Sequence, residues 1–140
     1  MNAVEVKRRC FTVIDLKKIL FHWASIRNVE KDIIFQTRVE LPVRKIEADM
    51  PNNIIYGAYS AYKFKFRDVP ADYSEVYVYG ETTRFQKNNK TPNLFVLKKD
   101  EHADQYGKTT TIAQTFVDLW NMKSWYAKEF LTALQEKIGE

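Results

Sequence analysis

Between Asp15 and Ile26 the apolar residues Leu16, Ile19, Leu20 and Trp23 recur three and four apart, while Lys17 and Lys18 fall on the opposite side. That spacing predicts an amphipathic helix over residues 15–26, opened by an aspartate placed to cap it. His22 lies between the two faces, where a packed ring is expected ahead of a catalytic base. The period then drops to two. In "IIFQTRVELPV" Phe35, Thr37, Val39 and Leu41 share one face and Gln36, Arg38 and Glu40 the other, which predicts a half-exposed strand that stops at Pro42 for want of an amide proton. "VRKIEADMPNN" predicts a short helix at most, ended by Pro51.

"NIIYG" reads as a short buried strand that turns at Gly57 into a helix over 58–66, with Tyr59, Tyr62 and Phe66 at helical spacing. "SEVYVYGE" and "NLFVLKK" are the clearest strands. Between them "TTRFQKNNKTP" suits a hairpin loop or an irregular excursion, and "DEHADQYGK" is a further loop. The run Thr109–Thr111 offers a cap for a helix whose Ile112, Thr115, Phe116, Leu119 and Trp120 form one stripe. Ser124 is placed to cap a second, with Tyr126, Phe130, Leu131 and Leu134 on its apolar side.

These elements predict an α+β fold: a single domain with a mixed or largely antiparallel sheet of four to five strands, packed by helices over 15–26, 58–66 and 110–137, two of them at the C-terminus. The short connection between "SEVYVYGE" and "NLFVLKK" favours an antiparallel pair, whereas the helix between "NIIYG" and "SEVYVYGE" allows a parallel one. Residues 1–28 form an N-terminal helical segment, a linker or remnant of a DNA-binding element if not part of the domain at 29–140.

At 140 residues the chain is long enough to bury one sizeable core, and its 45% apolar and 29% charged content is that of a globular protein. Cys10 is the only cysteine, which excludes an intrachain disulfide and a thiolate metal cluster, and His22 and His102 do not make a zinc site. No metal or other cofactor is expected. No apolar run approaches the roughly 20 residues of a membrane span, and the start lacks the apolar centre of a signal peptide, so a cytoplasmic protein without membrane contact is expected. The net charge of +4 is uneven: residues 1–70 hold 13 basic against 8 acidic side chains and residues 71–140 hold 9 against 10. An anionic partner is thereby directed to the first half.

The chain has no phosphate-binding glycine loop, nucleophile elbow or paired metal-binding histidines. A metal-dependent nuclease is the one enzymatic site to be built, from Asp72, Glu75, Glu81 and Lys98, whose acids near strand ends would hold a divalent ion. Glu75 and Glu81 are followed two positions on by Tyr77 and Thr83 rather than by the lysine such a site uses, and no catalytic residue is assigned. For nucleic-acid binding, Lys63, Lys65 and Arg67 alternate with Phe64 and Phe66, and Arg84, Lys87 and Lys90 cluster in the polar connection. Basic residues beside aromatics hold phosphates and stack bases, but they equally form the solvated side of a segment whose aromatics fill the core. Asp118 reads as a structural carboxylate bonding nearby backbone or a loop amide.

Three stretches, spanning about residues 53–134, resemble a known family in order: "IIYGAYSAYKFKFRDVP", "SEVYVYGE" and "TIAQTFVDLWNMKSWYAKEFL". They are similar to the helix start, the following strand and the late "vQtflDL" helix with its successor in the antitoxin domain of abortive-infection (AbiEi-type) proteins. The resemblance implies that Gly57 and Ala61 make the strand-to-helix turn and its close packing, Gly57 through its φ freedom. It implies that Gln114, Asp118 and Leu119 fix the late helix against the sheet. Family members are antitoxins and transcriptional repressors paired with a nucleotidyltransferase-like toxin, usually with a winged-helix DNA-binding domain ahead of this one. Residues 1–52 precede the resemblance and include a strand, so a complete winged helix is not expected within them.

The function expected is therefore a non-enzymatic antitoxin-like regulatory domain of a toxin–antitoxin (abortive infection) system, acting through protein contacts and assisting transcriptional autoregulation. A metal-dependent nuclease or a stand-alone nucleic-acid-binding protein is the alternative. The partners implied are a nucleotidyltransferase-like toxin and DNA, reached directly or through a winged-helix element. Trp120 shares a helical face with Ile112 and Phe116 and is expected in the core, more buried than Trp125, while Trp125 and Tyr126 form the candidate exposed anchor for a protein partner.

Overall fold

Val76, Val78, Leu94 and Val96 on one side, with Tyr77, Tyr79, Phe95 and Leu97 on the other, make β3 (Val76–Gly80) and β4 (Leu94–Lys98) apolar on both faces. A sheet built on them has to be covered on both. The computed structural model describes residues 13–81, 85–100 and 107–139. In chain order the other elements are α1 (Val13–Ile26), a 3-10 turn (Val29–Asp32), β1 (Ile33–Thr37), α2 (Val43–Ala48), β2 (Ile55–Gly57), α3 (Ala58–Phe66), α4 (Ile112–Trp120) and α5 (Tyr126–Gly139). The strands form one mixed sheet in the order β1-β4-β3-β2, the α+β domain with two C-terminal helices that the sequence pattern predicts. Among the described residues no helix is long and apolar enough to cross a membrane.

The valine face packs with Val39, Ile46 of α2, Met50 and Ile54, and with Phe35 and Phe85. On the aromatic face Ile55, Tyr79 and Leu97 pack with Val29. The largest core gathers Leu20 and Ala24 of α1, Tyr59 and Tyr62 of α3, Phe116 and Leu119 of α4, and Phe130 and Leu134 of α5. α1, which lies within residues 1–28, thus shares a core with the rest of the chain.

The antiparallel pairing expected between β3 and β4 is not formed, and the parallel pairing that the helix after β2 allows is not used. β3 and β4 are parallel from Val76↔Leu94 to Gly80↔Lys98, and β2 and β3, despite the helix between them, are antiparallel through Ile55↔Tyr79 and Gly57↔Tyr77. The connections explain both. In the crossover to β4 the described residues 85–93 form no strand or helix, Phe85 packs on the valine face and the Gln86 carbonyl accepts from the Thr37 hydroxyl at 2.7 Å; β4 then runs beside β3 in the same direction. α3 and the turn after it return the chain to the end where β2 finishes, like the far arm of a wide hairpin.

β1 pairs antiparallel with β4 and ends at Thr37, short of the expected stop at Pro42. Amide side chains then replace a strand partner. Asn93 accepts from Val39 N at 2.8 Å and donates to Val39 O at 2.9 Å, and Asn88 treats Arg38 the same way at 3.2 and 2.9 Å. Backbone groups are thereby satisfied without a ladder, and Leu41, past this point, is exposed instead of facing inward.

At the β2–α3 junction Gly57 is extended, with φ −120° and ψ 171°, and the left-handed φ of 48° falls on the buried Ala58. The conformational freedom expected of Gly57 is not used. The glycine whose missing side chain matters is Gly80, where a Cβ would lie 2.9 Å from Ile54 Cγ2. Ala61 is fully buried, as close packing requires.

Thr111 caps α4, its hydroxyl accepting from Gln114 N at 3.1 Å. Ser124 does not cap α5 through its hydroxyl, which donates to Glu75 at 2.6 Å. The inward stripe of α4 is Thr115, Phe116, Asp118 and Leu119, so Trp120 is 44% exposed and Ile112 41%. Trp120 is a lid over Phe21 of α1, with ring centroids 5.0 Å apart, and not the core residue expected. His22, expected to pack, is exposed. Phe116→Ala should therefore cost about 3 to 5 kcal/mol, and Trp120→Ala only about 1 to 2 kcal/mol for its edge contacts and partial burial. Urea unfolding of both variants checks the order.

Candidate functional site: a buried carboxylate and an aromatic groove

Asp118 faces inward from α4 and is 1% exposed. The Tyr79 hydroxyl, at the end of β3, donates to its Oδ2. Gln114, one turn earlier on α4, donates Nε2 to Oδ1 at 2.9 Å. Arg27, just past α1, donates Nε to Oδ1 at 3.4 Å and spends its terminal nitrogens on Asp32 and, at 3.1 Å, on the Tyr79 hydroxyl. One carboxylate thus joins α1, the 3-10 turn, β3 and α4 through side chains, rather than bonding nearby backbone or a loop amide.

Burial pushes the Asp118 carboxyl up to about 6, and the Tyr79 bond, the Arg27 charge and the Gln114 bond offset this only in part. Burial works against the Arg27 charge as well, but the bond to Asp32 and the nearness of Tyr79 and Asp118 outweigh it, so Arg27 holds its proton more firmly. The partners differ because the Arg27 side chain keeps 15% exposure and has a second carboxylate, whereas Asp118 keeps 2%. A general base needs an open path to its substrate. Asp118 has both oxygens engaged, and the cavity of about 420 Å³ beyond it is lined by Trp23, Arg27, Tyr79, Lys98 and Gln114.

A second buried acid, Glu47 of α2, is 2% exposed. It accepts from Lys63 Nζ and the Tyr73 hydroxyl at 2.6 Å each, and from the Ser60 hydroxyl at 2.5 Å. Neither Glu47 nor Arg27 stood out in the sequence. For Glu47 there was a signal: with Val43, Ile46 and Met50 it completes a helical apolar stripe, a position where an acid needs a partner.

The basic residues scatter. Lys63 belongs to Glu47, Lys65 is half-buried, with its ammonium group lowered by burial, and Arg67 closes α3 in a left-handed conformation with its N–H on Lys63 O at 2.8 Å. Helical geometry breaks up their alternation with Phe64 and Phe66, since residues two apart lie on different faces. Arg84 lies outside the described residues, as does His102. Lys87 and Lys90 are exposed together on the crossover. The nuclease quartet does not converge: Asp72 and Glu75 precede β3 at one end of the sheet, and the parallel register puts Lys98 level with Gly80, just before Glu81, at the other, roughly 17 Å or more away at ~3.3 Å per residue.

Between β1, the aromatic face and the α4–α5 turn lies an open groove of about 560 Å³. Its floor is Tyr77 and Phe95, stacked across the parallel strands at 4.5 Å and 9°, and Val29, Ile34, Met122 and Ser124 wall it. A bulge delivers Ile34: Ile33 pairs with Leu97 and Phe35 with Val96, so Ile34 opposes no residue and is 51% exposed. The β2 edge is closed by residues 108–110, with Tyr56 N on Lys108 O at 2.8 Å and Thr110 N on Tyr56 O at 3.0 Å. Among the described residues nothing pairs with the outer edge of β1. Trp125, next to Ser124, is 71% exposed, but Tyr126 is buried and donates its hydroxyl to Glu75 at 2.6 Å. Of the aromatic pair expected as an anchor, only Trp125 is exposed, its ring standing edge-on to Tyr126 at 5.5 Å.

No protein-family model, curated protein or solved structure matches the chain.

Because Asp118 holds its proton more tightly folded than unfolded, its contribution to stability is complete below about pH 4 and is lost as pH rises through about 6. Wild-type stability relative to Asp118→Asn should fall between pH 4 and 7 by on the order of 2 to 3 kcal/mol, measured by denaturant unfolding at each pH. Lys63→Ala strands the Glu47 charge and should cost about 2 to 4 kcal/mol, with no change in retention on heparin.

Proposed function

We propose that the chain is a non-enzymatic regulatory domain of the antitoxin kind, working in the cytoplasm by holding a partner protein in the groove beside β1. It would assist transcriptional autoregulation directly or through an associated DNA-binding element. The observation that supports this reading most is Trp125, 71% exposed and next in sequence to Ser124, which lines an open groove of mixed apolar and polar residues. Large exposed apolar surfaces mark interaction sites, and tryptophan is prominent among residues that dominate binding energy. The resemblance of residues 53–134 to AbiEi-type antitoxin domains supports the class and points to a nucleotidyltransferase-like toxin as the partner. Gln114 and Asp118, framework residues in that resemblance, are both joined to Tyr79 and to each other.

A second reading, direct binding of DNA, is favoured by Lys87 and Lys90, which are exposed without an ion pair among the described residues. It would appear as affinity that falls steeply with added salt.

Growth rescue from a co-expressed nucleotidyltransferase-like toxin tests the first reading. The wild type should rescue growth and co-purify with the toxin. Trp125→Ala should lose both while its unfolding free energy stays within about 1 kcal/mol of wild type. Absence of rescue by the wild type, or full rescue by Trp125→Ala, would count against it.

A further inference from the structure

We infer that the groove takes a segment of the partner protein in which apolar side chains are followed by carboxylates, the acidic end lying on Lys87 and Lys90. This rests on the protein-contact reading above and names the chemistry of the partner. The groove is asymmetric in charge. On one rim Glu30 and Lys123 cancel each other at 3.3 Å, and Glu75, in the wall, has its Oε1 engaged by the Ser124 and Tyr126 hydroxyls at 2.6 Å each. Lys87 lines both the groove and the cleft that adjoins it, which Gln36, Asn88 and Lys90 complete. Lys87 and Lys90, both exposed, therefore place positive charge where groove and cleft meet.

The lysines stand on a fastened loop. Asn88 holds both backbone groups of Arg38, and the Thr37 hydroxyl holds the Gln86 carbonyl at 2.7 Å, so the cationic end is fixed relative to the edge of β1. A preorganised site spends less binding energy on ordering itself. Ile34 and Met122 supply the apolar contact, and the lysines supply orientation and discrimination more than affinity, since exposed ion pairs contribute little alone. A nucleic-acid strand fits less well. Phe95, 8% exposed and stacked on Tyr77, offers bases little ring surface.

The test is selection of a random-peptide display library on the immobilised full chain, followed by fluorescence anisotropy of the enriched peptides. The enriched sequences should combine an apolar residue with Asp or Glu. They should bind the wild type about tenfold or more tighter than the Lys87→Glu/Lys90→Glu variant, and not bind Ile34→Asp. Thermal melts confirm that both variants, altered only at exposed positions, stay folded. Enrichment of basic or neutral peptides, no enrichment, or affinity unchanged by Lys87→Glu/Lys90→Glu would overturn the inference. So would displacement of the peptides by oligothymidylate, or a concentration-dependent dimer abolished by Ile34→Asp. Toxin capture that survives Lys87→Glu/Lys90→Glu but not Trp125→Ala overturns this inference alone and leaves the protein-contact function standing.

Discussion

The Asp118 carboxylate sits out of reach of solvent and is tolerated there only because Tyr79, Gln114 and Arg27 surround it. Each donor comes from a fixed place in the fold: the end of β3, the first turn of α4, and the residue after α1. Meeting one buried charge therefore fixes how α4 lies on the sheet and where α1 ends. Asn121 adds to this at the other end of α4, donating to Ala24 O at 3.2 Å and to Val117 O at 2.8 Å. Removing one partner of such a buried charge leaves the rest uncompensated, typically at 3 to 5 kcal/mol.

Glu47 plays the corresponding part between α2 and α3, with Lys63, Ser60 and Tyr73 as its donors. The two acids differ in the charge they meet. Glu47 has a lysine at 2.6 Å, whereas Asp118 shares Arg27 with Asp32. Both fasten helices to their surroundings and leave the edge of β1 aside. The groove lies there, with its turn wall placed by α4 and its loop end placed by Asn88.

The helices were legible because their apolar residues repeat locally, as at Leu20 and Trp23 or Phe116 and Leu119. Strand direction was not, since it depends on Phe85 packing on the valine face and Gln86 bonding to Thr37, which the polar run "TTRFQKNNKTP" does not encode. The site was legible in part. Asp118 and Gln114 were singled out, but the partners Arg27 and Tyr79 lie 91 and 39 positions from Asp118, beyond any local pattern. Trp125 could be placed next to a helix start, whereas Tyr126, one residue on, turned inward to Glu75. The groove itself was hidden, because alternation makes Tyr77 and Phe95 look like core on a fully covered face, and the bulge that turns Ile34 outward has no marker such as glycine.

Asp118 and Tyr79 act as one unit, which a double-mutant cycle measures directly. Unfolding free energies of wild type, Tyr79→Phe, Asp118→Ala and the double variant at pH 7 should give a coupling of about 1 to 3 kcal/mol, shrinking at pH 4 where the carboxylate takes up its proton. Two costs that simply add, to within about 0.5 kcal/mol, would contradict it.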